Sequence, residues 1–438
     1  MVGVALFVRL PFLFGEHYPA PGPDSPAYLK TADDLVHFEY HEFAFFTPGY
    51  PFFIAALQLL PGRPEDAVTI AQHLLGAGVV VAILAVAWRY FGKPAALIAS
   101  GLAALTPILV AHEHAILADF LFGTVVFAGA IALAEAARRG RMAFGLLILT
   151  GVLFGIATWV KPAGQALVLA APLAMAFATR DLRRAVRRSA VVILVMGATI
   201  SPWIIRNATY LDTPVMSQQG NATLFNRAFE VDRLPIPTDQ EHGRLAEDVQ
   251  RRISDEPGAR LTSAFKFAAM AEHDLTSDQV LTVQRRLALV AIRRHPGAYV
   301  EGTARATARS VRDINEFEGS EQLLKELDRT EPPFPRAVTD AAWDVARPLT
   351  EAWWLLSLNT LGGLLVLFLG KREQRNAAAA FLSVWLTLTL ATALSHGGLW
   401  RYSIQLAPIT WILASAGVVI IVSSLWQRIA SERRARSA

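Results

Sequence analysis

"AHEHAILADFLFGTVVFAGAIALAEAARRGR", residues 111–141, joins an apolar run to an acid at one end and a basic block at the other. The run itself, 115–137, is long enough to cross a bilayer, which takes about 20 residues of helix. Asp119 stands about one turn inside it. An ionisable group within a span costs roughly 2.5–3.5 kcal/mol at full depth, less near the interface, so such residues face a water-filled cavity or a partner. The other end carries "RRGR", 138–141, and Lys and Arg gather on the cytoplasmic side of spans. The stretch therefore predicts an oriented membrane helix with its basic end inside and Asp119 outside.

The same pattern recurs along the 438 residues. Further apolar runs lie near 66–88, 94–111, 142–160, 162–179, 189–205, 350–370, 376–396 and 404–426. Hydrophobic residues make up 53% of the chain and charged ones 18%, against about 25% charged in soluble proteins. Mean hydropathy is +0.36. One soluble core cannot hide so many long apolar runs. The expected fold class is an all-α polytopic membrane protein of about ten transmembrane helices. A net charge of +4 and a pI near 9.4 would suit nucleic acid, but the cations sit in short blocks between apolar runs, with no basic stripe interleaved with aromatics. With no cysteine, thiolate metal sites, thiol catalysis and disulfides are excluded.

Orientation follows from the basic blocks "RYFGK" (89–93), "RRGR", "RDLRRAVRR" (180–188), "KREQR" (371–375) and "RIASERRARS" (428–437). Placed in the cytoplasm, they let every span alternate. Residues 1–14 read as the end of a first span. Arg9 then lies near its outer end with too few residues to cross, so that helix is expected to begin upstream of Met1. The outer side receives 15–65, 112–118, the turn at Lys161, 206–347 and 397–403. Three parts are expected: a membrane module 1–205 with a functional first outer loop 15–65, a mainly helical outer domain 206–347, and a second membrane module 348–438 with a basic tail. "PGYPFFIAALQLLPG" is proline-bounded and too short to span, so it is expected to be interfacial or re-entrant. Two sequons, at Asn207 and Asn221, read as chance matches.

Within the first outer loop, "DSPAYLKTADDL" (24–35) starts an amphipathic helix with Ser25 suited to capping and Pro26 to the first turn. Tyr28, Leu29, Ala32, Leu35 and Val36 share one face; Lys30, Thr31, Asp33, Asp34 and His37 share the wet one. Asp24, at the N-terminus, is either a dipole-stabilised cap or a working carboxylate. His112, Glu113 and His114 precede Asp119, but His at i and i+2 project to different sides of a helix and make a poor metal pair. Lys161, Arg206 and Arg401 mark span ends on the outer side. Each alone is equally a snorkelling anchor. Together with Asp24 and Asp119 they suggest a polar outer cavity that handles an anionic group.

These residues carry a resemblance. "DSPAYLKTADDL", "TPGYPFFIAALQLL", "HAILADFLFGTVVFAGAIAL", "GVLFGIATWVKPAGQALVLAAP", "SPWIIRN" and "RYSIQLAPITWIL" occur in the order seen in the GT-C class of membrane glycosyltransferases. The chain resembles the bacterial branch related to protein O-mannosyltransferases and aminoarabinose transferases. The resemblance implies a polyprenyl-phosphate sugar donor, transfer on the extracytoplasmic face, and inverting chemistry with the first-loop acid, here Asp24, as base. It assigns the second-loop acid to Asp119, whose role varies across the class between site architecture, acceptor contact and metal binding. It also implies a bacterial inner or plasma membrane location in the cell envelope. Lys161, Arg206 and Arg401 are then candidates for the donor phosphate, and Tyr28, His396 and Tyr402 for sugar or phosphate contact as well as for packing. A divalent cation (Mg²⁺, Mn²⁺ or Ca²⁺) shared by Asp24 and Asp119 is an open alternative. The expected partners are the lipid-linked donor, membrane lipid, and an acceptor glycan, lipid or protein. Two rival functions are a transporter or flippase for a lipid-linked substrate, which should show inverted repeats, and a non-catalytic assembly subunit.

Overall fold

The structure is a computed structural model, and it describes residues 1–14, 24–37, 45–139, 143–179, 181–210, 213–254, 260–312, 354–396 and 404–437. Every regular element among them is helical. Chain order runs α1 (Val2–Phe14), α2 (Ser25–Val36), α3 (Gly49–Gln58), α4 (Pro64–Phe91), α5 (Lys93–Leu105), α6 (Pro107–His114), α7 (Ala118–Arg139) and α8 (Phe144–Val160). A 3₁₀ segment (Pro162–Leu169) leads into α9 (Ala170–Ala178), followed by α10 (Leu182–Tyr210). Beyond these come α11 (Gln219–Asn226), a π turn (Arg227–Val231), α12 (Gly243–Ile253), α13 (Leu261–His273), α14 (Ser277–Arg294) and α15 (Pro296–Arg312). The last three are α16 (Trp354–Leu369), α17 (Arg372–His396) and α18 (Ala407–Ser437).

Five of these helices, α4, α7, α10, α17 and α18, are long and apolar enough to cross a membrane. The segments 93–105, 144–160 and 162–178 are apolar but shorter. The expected run 94–111 is not one helix: it breaks at Thr106, whose extended φ/ψ of −73°/109° precedes Pro107. Proline disfavours helical geometry in the residue before it, so α5 stops there and α6 starts on a new axis. The 162–179 run likewise opens as a 3₁₀ turn after Pro162. The stretch after Pro48 forms α3, ten residues long, or about 15 Å of helix, which cannot span.

The apolar faces pack into one large core that draws on α1 through α10 and α16 through α18. α7 packs on α8 and α17, α4 on α5, and α18 on α5 and α16. A second cluster stands apart: Phe225, Phe229, Phe265, Leu287 and their neighbours bury the inner faces of α11 to α14. These helices lie within residues 206–347. Helix α14 begins with a full capping box, Thr276 and Gln279 each satisfying the other's backbone N–H, as the spacing of such residues favours.

Four of the five basic blocks meet at one end of the bundle. Glu135 in α7 receives Arg138 at 2.6 Å, Arg139, and Arg89 from the end of α4 at 3.4 Å. Tyr90 donates to the same carboxylate at 2.7 Å. Arg188 of α10 donates to the Ala136 carbonyl, and Asn376 of α17 to that of Ala137 at 3.4 Å. Four helices thus bring their basic ends to one level, as alternating spans require.

Candidate functional site

The polar residues at the opposite end sit where the apolar sequence leaves them no water. Asp119, at the start of α7, is 2% exposed and Lys161, between α8 and the 3₁₀ turn, 8%. They form an ion pair, Nζ to Oδ1, at 2.8 Å. Gln405 Nε2 donates to the same oxygen at 2.7 Å. Gln405 reaches it because Gly123 lies one turn further along α7: a Cβ there would stand 2.7 Å from the Gln405 carbonyl oxygen. The two expected roles, acid and cation, therefore belong to one paired unit. Among the described residues no group of three or more His, Asp or Glu side chains is arranged to hold a metal ion.

Asp24 occupies the cap position of α2, with φ/ψ of −95°/−8°, and its side chain makes no capping bond. Ser25 does not cap either. Its hydroxyl donates to the Ile116 carbonyl at 2.9 Å, which ties the start of α2 to the segment just before Asp119. The buried stripe of α2 is Ser25, Tyr28, Thr31 and Ala32. Thr31 thus departs from the expected wet face, because its hydroxyl is satisfied locally by the Ala27 carbonyl at 2.8 Å. Asp33 and Asp34 remain on the wet side, where Asp34 pairs with Lys30 and Asp33 with His37. Tyr28 packs edge-on against Tyr50 with ring centroids 5.0 Å apart.

The stretch after residue 45 is fixed against Lys161. Thr47 donates to the Val160 carbonyl at 2.9 Å. Gly49 lies so close to α8 that a Cβ would fall 2.6 Å from the Trp159 carbonyl carbon. Trp159 contacts Trp203, with centroids 6.0 Å apart, and the Arg206 guanidinium stacks 4.9 Å from the Trp203 ring centre. Arg206 therefore shares the same end of the bundle two aromatic rings away from Lys161. His396, at the end of α17, pairs through Nδ1 with the Ser395 hydroxyl at 2.6 Å. Arg401 and Tyr402 lie outside the described residues.

Sequence reasoning missed a second buried group. Arg9 and Glu113, each 1% exposed, form a bidentate pair with Nε–Oε2 at 2.7 Å and Nη2–Oε1 at 2.5 Å. Glu113 Oε2 also meets His73 Nδ1 at 3.0 Å, and His73 Nε2 meets His114 Nδ1 at 3.2 Å. The signal was present: an Arg and a Glu in apolar surroundings each need a partner. A small cavity lies between the two charged groups, lined by Arg9, Glu113, Asp119 and Gln405 among apolar side chains.

The described residues thus form an all-helical bundle with a basic end, a buried acid–base unit at the other, and an amphipathic helix tied to that unit. Residues 46–205 match the family model for dolichyl-phosphate-mannose-protein mannosyltransferase. No curated protein matches the sequence. Among solved structures, the archaeal oligosaccharyltransferase AglB from Archaeoglobus fulgidus, in complex with an inhibitory peptide and a dolichol-phosphate, superimposes with a TM-score of 0.52 at 12% identity. The match covers 99% of this chain and 51% of that one. An Archaeoglobus fulgidus oligosaccharyltransferase in complex with Zn and sulfate gives a TM-score of 0.50 at 13% identity, over 98% and 50% of the two chains. The chain thus spans about half the length of these structures, and at such identity the likeness is one of fold. ArnT from Cupriavidus metallidurans bound to undecaprenyl phosphate aligns at 18% identity over 90% of this chain and 76% of that one. Its TM-score of 0.42 is too low to carry an argument.

Proposed function

We propose that the protein is an inverting glycosyltransferase that moves a sugar from a polyprenyl-phosphate donor to an acceptor hydroxyl on the extracytoplasmic face. The observation that carries this reading is the buried Asp119–Lys161–Gln405 unit, joined through Ser25 and Ile116 to the helix that Asp24 begins. It lies at the end of the bundle away from the basic blocks. The proposed layout is a bacterial inner-membrane protein of about ten spans, with membrane modules 1–205 and 348–438 around an outer domain 206–347.

In this reading the acceptor oxygen attacks the anomeric carbon as the bond from that carbon to the donor phosphate breaks. The hydroxyl proton passes to the Asp24 carboxylate, a general-base contribution of roughly 10²–10⁴ in rate. One displacement inverts the anomeric centre. The departing lipid phosphate gains negative charge, and a cation held in a water-poor site stabilises it far better than in bulk water. Lys161 supplies that charge, kept in place by Asp119. Arg206 and Arg401 are the further candidates for the phosphate. The apolar faces of the spans hold the polyprenyl tail.

Asp24→Asn tests the assignment in a lipid-linked sugar transfer assay. Turnover is expected to fall at least a hundredfold with folding and membrane insertion intact. Near-normal turnover would remove Asp24 as the base. Spared transport of a lipid-linked substrate by the same variant would favour a transporter.

A further inference from the structure

Helix α6 ends at His114 and α7 begins at Ala118, and Ala115 between them is extended, with φ/ψ of −89°/140°. The last carbonyls of a helix have no partner within it, and within a bilayer each unsatisfied one costs several kcal/mol. Here they are claimed by side chains from other elements. Gln72 of α4 is fully buried, and its Nε2 donates to the carbonyls of Glu113 and Ala115 at 2.9 Å each. Tyr50 of α3, also fully buried, donates its hydroxyl to Gln72 Oε1 at 3.0 Å. The amide orientation is dictated by these neighbours, because backbone carbonyls only accept. The next carbonyl along, Ile116, accepts from Ser25 at 2.9 Å.

We propose that Gln72 is a positioning residue: one amide, oriented by Tyr50, fixes the 113–117 segment so that Ser25 can bind it, and so sets the separation of Asp24 and Asp119. The proposal rests on the reading of those two acids as working residues of a glycosyltransferase. The path between them is short. Asp24 adjoins Ser25, Ser25 holds Ile116, and Ile116 stands three residues before Asp119. Losing the amide takes its donor from the Glu113 carbonyl and leaves the Ala115 carbonyl only the Leu117 N–H, at 2.9 Å, and a site loosened by about 1 Å can lose about a hundredfold in rate. Gln72 touches no reacting atom in this scheme. It acts through the backbone that carries Asp119.

The test uses Gln72→Met, which keeps length and volume and removes both donors. Its kcat for transfer from a lipid-linked sugar is expected to fall at least tenfold, with donor KM changed less than twofold. In an Asp119→Asn background the same substitution is expected to cost less than twofold, because its route to the site is already cut. A full, multiplicative loss in that background would overturn the proposal. A second readout needs no activity. The chain has no cysteine, so spin labels on Ala27→Cys and Leu121→Cys report the distance between α2 and α7. A narrow distribution is expected with Gln72 and a broadened one with Gln72→Met; an unchanged distribution would also overturn the proposal. If Gln72→Met does not fold, Tyr50→Phe takes its place, with a smaller broadening and a loss of about threefold expected. If the unsubstituted protein transfers no sugar, the enzyme reading fails while the distance measurement still decides the role of Gln72.

Discussion

Removing Glu113 should damage the protein more than removing Arg9, although the two form one ion pair. Both are 1% exposed, so either loss strands a charge in apolar surroundings. Breaking a buried pair by deleting one partner costs about 3–5 kcal/mol. The neighbours decide where each variant falls in that range. Without Glu113, the Arg9 guanidinium keeps the Ala5 carbonyl, at 2.9 Å, and no compensating charge among the described residues. Without Arg9, the Glu113 carboxylate still has His73 Nδ1 as a hydrogen-bond partner at 3.0 Å. Glu113→Leu is therefore expected near the upper end, at about 5 kcal/mol, and Arg9→Met near the lower, at about 3 kcal/mol. The double variant removes both charges and replaces them with apolar volume, which is often close to neutral for buried pairs. It should be less destabilised than Glu113→Leu alone, with a coupling energy of at least about 2 kcal/mol. Denaturant unfolding in detergent micelles, followed by tryptophan fluorescence, measures all four corners of the cycle. Additivity within about 0.5 kcal/mol would refute the claim that these residues act as one unit.

Gly76 faces that unit: a Cβ there would stand 2.1 Å from Glu113 Oε1, and the carboxylate is already locked by Arg9 and His73, so Gly76→Ala is expected to cost about 1–3 kcal/mol in the same unfolding assay. Lys161→Ala should weaken donor use more than stability; donor saturation curves check this, and unchanged saturation would count against a phosphate role. Beside the second helical cluster, hydrogen bonding from Arg294 lowers the Asp239 carboxyl to about 2 from its ordinary 3.8. A lowered carboxylate contributes stability that is complete above the unfolded value and lost as pH falls through the folded one. The Asp239–Arg294 contact should therefore lose its contribution to stability between about pH 4 and pH 2, and Arg294→Ala should move the Asp239 titration upward in carboxyl-labelled NMR spectra.

Much of the architecture was legible because apolar periodicity and charge placement are local properties of a chain. The run after Asp119, the basic blocks and the proline-bounded segment at 48–61 each announced their element. The basic blocks that the sequence assigned to one side meet in the structure around Glu135 and the carbonyls of Ala136 and Ala137. Helix breaks were harder to place. Pro107 sits inside a continuous apolar run, and hydropathy alone does not register the loss of one backbone hydrogen bond.

The sequence by itself determined that this chain forms apolar helices, which end of each faces the basic side, and that Asp24, Asp119 and Lys161 stand where charge is unusual. Tertiary structure alone decided who pairs with whom. Asp119 meets Lys161 across 42 positions and Gln405 across 286, while Arg9 meets Glu113 across 104. No local pattern encodes such separations. A buried charge requires a counter-charge, but which one it finds depends on how the helices pack. Glycines such as Gly76 and Gly123, unremarkable as letters, supply the room that lets those partners close.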